Sequence, residues 1–296
     1  MNVKDLSTNP KNLVDSFEST GFQATNLARA VKIIKKMKKE KATIFLSFTA
    51  NMVATGLRGI FADLCRRKFI DGVITTGGSL DHDIIRSYSD YPIGDFSMDD
   101  SLLYKKGVNR LGNILIPNSR YELLEKKIQP LLKKIYSKKK IVSPSELAYE
   151  AGKSLKDKNS FLYWCSRKNI PVFSPGIIDS AVGLQIYFFK QRHNDFGIDV
   201  TADMPKLGEM ILDSKKTGGI ILGGGISKHY TIASNILRGG LDYAVYVTTA
   251  SPWDGSLSGA RTNEAVSWGK ISEKAKYITV DGDATVIFPI MASAVV

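Results

Sequence analysis

The chain of 296 residues carries 41 lysines and arginines against 29 aspartates and glutamates, which gives a formal net charge of +12. Two cysteines, Cys65 and Cys165, exclude a disulfide framework, and the three histidines show no zinc-ligand spacing, so no bound metal is expected. We interpret the cysteines as small buried residues of a protein in a reducing compartment. The polar N-terminus and the lack of a long apolar stretch predict a cytoplasmic protein without a membrane partner.

Much of the positive charge is concentrated in residues 32–41 and 126–140, where lysines alternate with Ile, Leu and Met at helical spacing. This pattern is typical of amphipathic helices with a solvated lysine face. The alternative is a nucleic-acid surface, but no recognised nucleic-acid-binding motif accompanies the charge. The charge by itself does not decide the function.

An N-terminal arm at 1–25 and a single domain at 26–296 are predicted from the order of polar and apolar segments. In the domain, apolar runs typical of buried strands alternate with segments of helical periodicity. The predicted strands are 42–48, 72–76, 171–174, 218–222, 243–249 and 277–280, and the predicted helices include 28–39, 51–67, 143–154, 160–169 and a long helix from about 119. This alternation predicts an α/β fold, with a doubly wound sheet of about six mainly parallel strands flanked by helices.

Small and polar residues follow each predicted strand, at the carboxyl edge of the sheet where ligands of such folds bind. Glycines there let phosphate groups approach backbone N–H groups, and carboxylates suit ribose hydroxyls. Each segment alone is equally compatible with a tight turn or a helix cap, and the Gly-x-Gly-x-x-Gly spacing is absent. Their recurrence at every strand end favours a dinucleotide site.

A candidate nucleophile, Lys270, ends the run Asn263-Glu-Ala-Val-Ser-Trp-Gly-Lys270. A lysine beside Trp268 and a glycine would be partly desolvated, which lowers the pKa of an amine and frees it for attack. The alternative is a surface lysine after a glycine turn, with Trp268 in the core and Glu264 on an exposed helix. His229, just past a triple glycine, either packs at a helix start or carries protons at the mouth of a ligand site.

Several motifs resemble those of the deoxyhypusine synthase family and follow the same order along the chain. They are Thr75–Gly78, Arg110–Asn118, Phe173–Asp179, Ile220–His229, Asp242–Tyr246, Asp254–Arg261 and Asn263–Lys270. The resemblance extends from about Ala42 to the C-terminus and is densest after Ser160. The short, lysine- and isoleucine-rich sequence is similar to archaeal members.

The resemblance implies a Rossmann-like homotetramer with active sites at dimer interfaces. In the family's reaction, NAD removes a hydride from spermidine to give an imine. The amine that matches Lys270 attacks this imine, which releases 1,3-diaminopropane and leaves an aminobutyl imine on the enzyme. A lysine of the precursor of translation initiation factor 5A then displaces Lys270, and the retained NADH reduces the new imine. The resemblance therefore predicts NAD as cofactor, with spermidine and the factor precursor as partners.

The resemblance also assigns roles to individual residues. Lys270, His229 and Glu264 are predicted to be catalytic, and Trp268, Glu264, His229 and His82 to contact the amine substrate. The predicted NAD contacts are Thr49, Asn51, Thr76, Gly77, Asp81, Asp179, Gly223, Gly225, Thr249, Ala250, Asp254, Asp283 and Ala284.

The chain departs from the family at three positions that are acidic in better-known eukaryotic members and help to hold the polyamine. His82, Leu184 and Leu257 stand there. Because a polycationic substrate needs local negative potential, we expect either that Asp83 or Asp179 compensates, or that the amine donor differs.

Two alternative functions follow. One is a homospermidine synthase-like transfer of the aminobutyl group to a small amine such as putrescine, which shares NAD and Lys270 with the leading hypothesis. The other is a nucleic-acid-binding protein on an inactive scaffold, motivated by the lysine-rich helices.

Overall fold

A computed structural model describes residues 9–296. The strands are β1 (Thr43–Phe48), β2 (Gly72–Ile74), β3 (Val108–Leu111), β4 (Ile114–Pro117), β5 (Ile141–Val142), β6 (Val172–Phe173), β7 (Gly197–Ile198), β8 (Thr217–Leu222), β9 (Leu241–Thr248) and β10 (Ile271–Asp281). The helices are α1 (Pro10–Ser16), α2 (Phe22–Lys39), α3 (Ala50–Ala54), α4 (Leu57–Arg66), α5 (Gly77–Arg86), α6 (Asp100–Lys105), α7 (Ser119–Tyr136), α8 (Pro144–Ser154), α9 (Phe161–Lys168), α10 (Ala181–Lys190), α11 (Met204–Leu212), α12 (Gly225–Ser234), α13 (Glu264–Ser267) and α14 (Ala284–Val295).

A six-stranded parallel sheet has the strand order β10-β9-β8-β1-β2-β6. From β1 the chain builds the sheet towards β2 and β6, and then returns to the other side of β1 for β8, β9 and β10. Strands β1 and β8 are neighbours, with Phe48 at the end of β1 opposite Leu222 at the end of β8. The order in which the chain adds strands to the sheet reverses between them. This is the strand order of the doubly wound dinucleotide-binding fold, and the predicted fold class is confirmed.

The density of internal contacts divides the chain into two compact units. The first unit comprises, in its described part, residues 9–49, 69–74 and 204–296, and the second unit comprises 50–68 and 75–203. The division predicted from the sequence, an arm at 1–25 and one domain, stays a prediction. Residues 1–8 of that arm lie outside the described residues, and its remainder contains α1, in which Val14 is buried.

The core of the first unit is built from strands that are buried over nearly their whole length. All six residues of β8 are buried, as expected for a central strand of a parallel sheet with both faces covered. Helix α2 packs Leu27, Val31 and Ile34 inwards, while its lysines are exposed or half-buried. The prediction of an amphipathic helix with a solvated lysine face is confirmed here.

The second unit contains the helices from α3 to α10 and the antiparallel hairpin β3–β4. Its helix α8 begins with a capping box, in which the Ser143 hydroxyl accepts from the Glu146 backbone and the Glu146 carboxylate accepts from the Ser143 backbone. The single helix predicted at 51–67 is wrong, because the chain breaks at Thr55 and Gly56 into α3 and α4. In residues 9–296, no helix is both long and apolar enough to cross a membrane.

Candidate active site

A cavity of about 240 Å³ in the first unit gathers residues from α12, β9 and the segment between β9 and β10. It is lined by Lys228, His229, Ile232, Tyr246, Gly255, Leu257, Ala260, Arg261, Glu264, Ala265, Trp268 and Lys270. Four residues predicted from the sequence, His229, Glu264, Trp268 and Lys270, therefore line one pocket although 41 positions separate the first from the last.

Lys270 is fixed by its backbone at the point where β10 begins. Its N–H donates to the Ala265 carbonyl at 3.0 Å, and its own carbonyl accepts from the Leu241 N–H at 3.1 Å. The half-buried side chain brings the ammonium nitrogen to 4.9 Å from the centre of the Trp268 ring. The amine thus enters the pocket from the residue just before the edge strand β10 and lies beside the negative face of an aromatic ring.

His229 lies in the second turn of α12, close enough to Lys270 for the charge of that lysine to act on the imidazole. Partial burial lowers the pKa of His229, and the positive charge of Lys270 lowers it further. Both effects favour the neutral imidazole at neutral pH, because each disfavours the charged form. A neutral imidazole accepts a proton, so its position suits a proton carrier for chemistry at Lys270.

Two further lining residues, Tyr246 and Lys228, form the buried side of the pocket. Tyr246 is 1% exposed, and its hydroxyl has no hydrogen-bond partner in the described part of the chain. The Lys228 ammonium lies 4.4 Å from the Tyr246 ring centre, and burial lowers the pKa of Lys228 to about 8. Both residues lie inside motifs that resemble those of the family, but no signal in the sequence assigns them a role, since burial beside a pocket leaves no periodic pattern.

The charge of the pocket is predominantly positive. Among the described lining residues, Glu264 alone carries a carboxylate, against Lys228, Lys270 and Arg261. Arg261 is paired with Asp281 at the end of β10. Leu257 lines the wall and packs on the apolar cluster below it, so one of the three positions that depart from the family lies in this pocket.

The point where the strand order reverses has the features expected of a phosphate site. Thr49 follows β1, and the triple glycine 223–225 follows β8 and leads into α12. A Cβ on Gly224 would lie 2.2 Å from the Ser258 hydroxyl, so only glycine fits there. Gly225 has φ +66° with open space beyond it, and its N–H donates to the Ser258 hydroxyl at 3.2 Å, whereas the N-cap residue Gly224 offers no side chain to the next N–H groups of the helix. These features leave backbone N–H groups of the first helical turn approachable.

Other predicted NAD residues of the first unit lie after β9 and β10. Thr249 is exposed and Ala250 half-buried. The Asp254 carboxylate accepts from the Ser256 N–H at 2.7 Å, and the Asp283 carboxylate accepts from Thr285 at 2.8 Å as the N-cap of α14. Ala284 is the buried first residue of that helix. Both carboxylates are at exposed positions, where they also cap local backbone.

The second unit contains five of the predicted NAD residues. Asp81 is 5% exposed, and its two oxygens accept from the Ala181 and Val182 N–H groups at 2.8 Å, which anchors the start of α10. Burial raises the pKa of Asp81 to about 6, against the effect of those two hydrogen bonds. The Thr76 hydroxyl is buried and has no partner in the described part of the chain.

Three more predicted NAD residues, Gly77, Asn51 and Asp179, belong to the second unit. A Cβ on Gly77 would meet the Ile177 carbonyl at 2.6 Å, so the close packing of this turn requires glycine. Asn51 and Asp179 are exposed. The roles of all these residues towards NAD stay predictions.

His82 and Asp83 lie inside the second unit. His82 is 8% exposed, its Nδ1 lies 2.9 Å from the Tyr91 hydroxyl, and burial followed by the charge of Arg86 lowers its pKa to about 4. Its predicted contact with the amine substrate stays a prediction. Asp83 is fully buried and bonded to Arg58 at 2.6 Å, so it is not available to compensate for missing acidic residues. Leu184 is 51% exposed on α10.

No group of three or more His, Cys, Asp or Glu side chains within residues 9–296 is arranged to hold a metal ion. The two cysteines of the second unit are free and buried, with their sulfur atoms 3.5 Å apart.

Solved structures share this fold. The crystal structure of a candidate deoxyhypusine synthase from Entamoeba histolytica has a TM-score of 0.71 and 24% identity, over 99% of this chain and 96% of that chain. AgrE, solved in a ternary complex with ornithine and NAD⁺, has a TM-score of 0.58 and 12% identity, over 92% of this chain and 33% of that chain. At these identities, the comparisons support the fold alone.

Sequence relatives give the family. The model of the family described as deoxyhypusine synthase matches residues 12–295. A protein of Thermoplasma acidophilum named "Probable deoxyhypusine synthase" is 48% identical over 98% of this chain and 95% of its own length. A protein of the same name from Sulfolobus acidocaldarius is 44% identical over 99% of this chain and 96% of its own. The chain therefore belongs to the deoxyhypusine synthase family of aminobutyl transferases, as its motifs predict.

Proposed function

We propose that this protein is an NAD-dependent deoxyhypusine synthase that moves the aminobutyl group of spermidine to one lysine of the translation initiation factor 5A precursor. The observation that carries the proposal is the meeting of Lys270, His229, Glu264 and Trp268 in one pocket. These four side chains supply an amine nucleophile, a proton carrier, a carboxylate and an aromatic face, which are the groups that imine exchange on a polyamine requires.

The first unit fits NAD at the reversal of strand order between β1 and β8. The small residues 223–225 and the N–H groups that follow Gly225 in the first turn of α12, whose N-cap Gly224 has no side chain, would hold the pyrophosphate. Asp254 and Asp283 lie after β9 and β10, where ribose hydroxyls need acceptors. The cofactor supplies a hydride acceptor for oxidation of the donor amine and returns the hydride to the product. AgrE, which has this fold, was solved with NAD⁺, in keeping with the assignment.

Lys270 is the residue that forms the covalent bond. Its neutral amine attacks the carbon of the oxidised donor, the bond to the diaminopropane nitrogen breaks, and 1,3-diaminopropane leaves with the proton that nitrogen needs. The neutral imidazole of His229 takes the proton that the Lys270 nitrogen gives up and delivers it to the leaving amine. Attack by the acceptor lysine on the Lys270 imine reverses the exchange and frees Lys270.

Glu264 and Trp268 bind the cationic donor. Glu264 is the carboxylate of the pocket, and the Trp268 ring offers a face for a second ammonium group. Assembly into a homotetramer with sites at dimer interfaces, a cytoplasmic location, and the roles of His82 and of the second unit's residues belong to the same proposal and rest on the family resemblance.

A second candidate is a homospermidine synthase-like transfer to a small amine. The observation that favours it is Leu257, because an apolar side chain lines the pocket where an acidic one would hold a further ammonium group. A pocket whose described lining carries one carboxylate binds a polycation less tightly than a pocket with several. The loss of acidic residues therefore affects which amines can serve as donor and acceptor.

The deciding experiment incubates the protein with NAD and spermidine labelled in the butylamine part, together with the factor precursor, putrescine, or both. We expect the label to enter the factor in the first and third mixtures. A factor with its acceptor lysine replaced by arginine serves as the matched control and should stay unlabelled. Label that enters only putrescine would replace the leading proposal by the second candidate.

A further inference from the structure

The buried ammonium group of Lys228 holds one wall of the active-site pocket, the segment 257–260, by hydrogen bonds. Lys228 is 1% exposed, and its nitrogen donates to the carbonyls of Leu257 and Ala260, each at 2.7 Å. Both acceptors belong to the segment 257–260, which contributes Leu257 and Ala260 to the pocket lining and leads directly into Arg261. One ammonium group therefore closes a turn of chain that has no regular secondary structure of its own.

The same segment has a second attachment that does not involve Lys228. The Ser258 hydroxyl accepts from the Gly225 N–H at 3.2 Å, and the Ser258 carbonyl accepts from the Thr248 hydroxyl at 3.3 Å. Leu257 also packs on the apolar cluster that includes Ile232 and Tyr246. Loss of the Lys228 bonds would leave these anchors in place, so the wall would loosen without detaching.

The hydrogen bonds of Lys228 indicate a structural role, different from that of the nucleophile Lys270. The Lys228 nitrogen is engaged by two carbonyl oxygens and lies over the Tyr246 ring, so two of its N–H groups are used to hold the chain. Buried carbonyl oxygens that lose a donor cost free energy, so this arrangement favours one conformation of the wall. Leu257 and Ala260, which this wall carries, line the same pocket as Glu264 and Trp268.

We propose that Lys228 is a positioning residue, which holds segment 257–260 so that the pocket fits the carbon chain of the aliphatic polyamine donor. The inference rests on the proposed function, since it concerns binding of the donor that Lys270 attacks. A wall that moves weakens donor binding but leaves Lys270 and His229 in place, because His229 belongs to α12 and Lys270 is held by its own backbone bonds to Ala265 and Leu241.

The test compares the wild type with Lys228→Met, which keeps the length of the stem but removes both donors, and Lys228→Arg, which keeps charge and donors. The matched control is Lys274→Met, at an exposed lysine on β10. For Lys228→Met, the KM for spermidine should rise at least about tenfold, while kcat at saturating spermidine should change less than about threefold. Lys228→Arg should recover part of the KM, and Lys274→Met should match the wild type.

Hydrogen–deuterium exchange of each variant gives a readout that does not depend on activity. In Lys228→Met, peptides that cover 257–262 should exchange faster, while peptides from β8 and β9 should be unchanged. Unchanged KM and unchanged exchange in an active, folded Lys228→Met would overturn the inference. A fall in kcat with constant KM would also overturn it, in favour of a direct catalytic role. If Lys228→Met does not fold, a Lys228→Arg variant whose KM equals that of the wild type despite faster exchange at 257–262 would overturn it.

Failure of the proposed function gives a different pattern. In that case the wild type and Lys274→Met would both fail to transfer the aminobutyl group, while the exchange experiment would still report whether Lys228 holds the wall.

Discussion

The ammonium nitrogen of Lys270 lies 4.9 Å from the centre of the Trp268 ring. The two residues are separated only by Gly269, whose φ of +66° turns the chain so that both side chains enter the same pocket. The turn therefore places the Lys270 amine in the pocket that also holds Glu264, as expected for the nucleophile predicted at the end of this sequence run.

Borohydride trapping should label Lys270. With NAD and labelled spermidine, reduction converts the imine on the enzyme into a stable secondary amine, which peptide mass spectrometry locates. Lys270→Ala and Lys270→Arg should give no adduct, since alanine lacks the amine and arginine stays protonated. Lys274→Met should be labelled as strongly as the wild type. A full yield of adduct in Lys270→Ala would remove Lys270 from the mechanism.

Replacement of Trp268 by leucine should weaken binding of the donor. Loss of a cation–π contact worth about 0.5–2 kcal/mol corresponds to a rise in KM for spermidine of about 2- to 30-fold. Trp268→Phe should give a smaller rise because it keeps an aromatic face. Trp253 is another exposed tryptophan of the first unit, at 92% exposure, and Trp253→Leu is the matched control. Equal KM values for the two leucine variants would contradict the assignment.

The pKa of His229 should rise when the charge at position 270 is removed. Partial burial and the charge of Lys270 both lower this pKa in the wild type, and Lys270→Met deletes the second effect. Histidine NMR titrations of the two proteins, with His229→Gln to assign the signal, measure the difference. A His229 pKa that stays the same in Lys270→Met would show that the two groups do not interact.

Asp83→Asn should destabilise the second unit strongly. Arg58 donates to Asp83 at 2.6 Å and is itself 4% exposed, so the variant removes the fully buried counter-charge of this guanidinium and leaves it the partly exposed Asp157, at 2.7 Å. Removing one partner of a buried pair costs about 3–5 kcal/mol in the free energy of unfolding. Asp63→Asn, at a half-exposed carboxylate that pairs with Arg66 and Arg67, should cost less than about 1 kcal/mol. Denaturant unfolding measures both, and similar losses in the two variants would contradict the prediction.

Asp81 should make stability fall as the pH rises from about 4 to about 6. Burial raises the pKa of Asp81 from 3.8 to about 6, so the folded chain binds this proton more tightly than the unfolded chain. The contribution is present below the unfolded pKa and is lost as the pH passes the folded pKa, by about 3 kcal/mol in the free energy of unfolding. The difference in stability between the wild type and Asp81→Asn, measured from pH 3.5 to 7.5, should show this slope. A flat difference would refute it.

Most of the secondary structure could be predicted because local patterns determine it. The strand predicted at 218–222 and the capping box at Ser143 agree with β8 and α8 within one residue. The break between α3 and α4 was missed, since one glycine in an otherwise helical pattern also fits a continuous helix. The strand predicted at 277–280 is the last part of a longer strand, β10. The pairing of β10 with β9 is irregular between Ile271 and Lys276, so buried and exposed side chains do not alternate regularly there.

The rule that ligands follow strand ends would not have found Lys270. The residue precedes β10 and lies beside Leu241, at the amino ends of the last two strands. Its place in the pocket depends on α12, which brings His229 back along the sheet, and on the turn at Gly269. Those relationships join residues far apart in the chain, and local periodicity does not encode them.

Hydrophobic spacing and ordered motifs are properties of the chain, so the fold class, the family and the candidate residues could be predicted from the amino-acid sequence. The environment of each side chain, in contrast, depends on the folded protein. The tertiary structure placed Glu264 as the carboxylate among the described lining residues, buried Asp83 against Arg58, and tied Lys228 to the wall that carries Leu257. The physical reason is that burial and charge pairing are set by neighbours that only folding brings together.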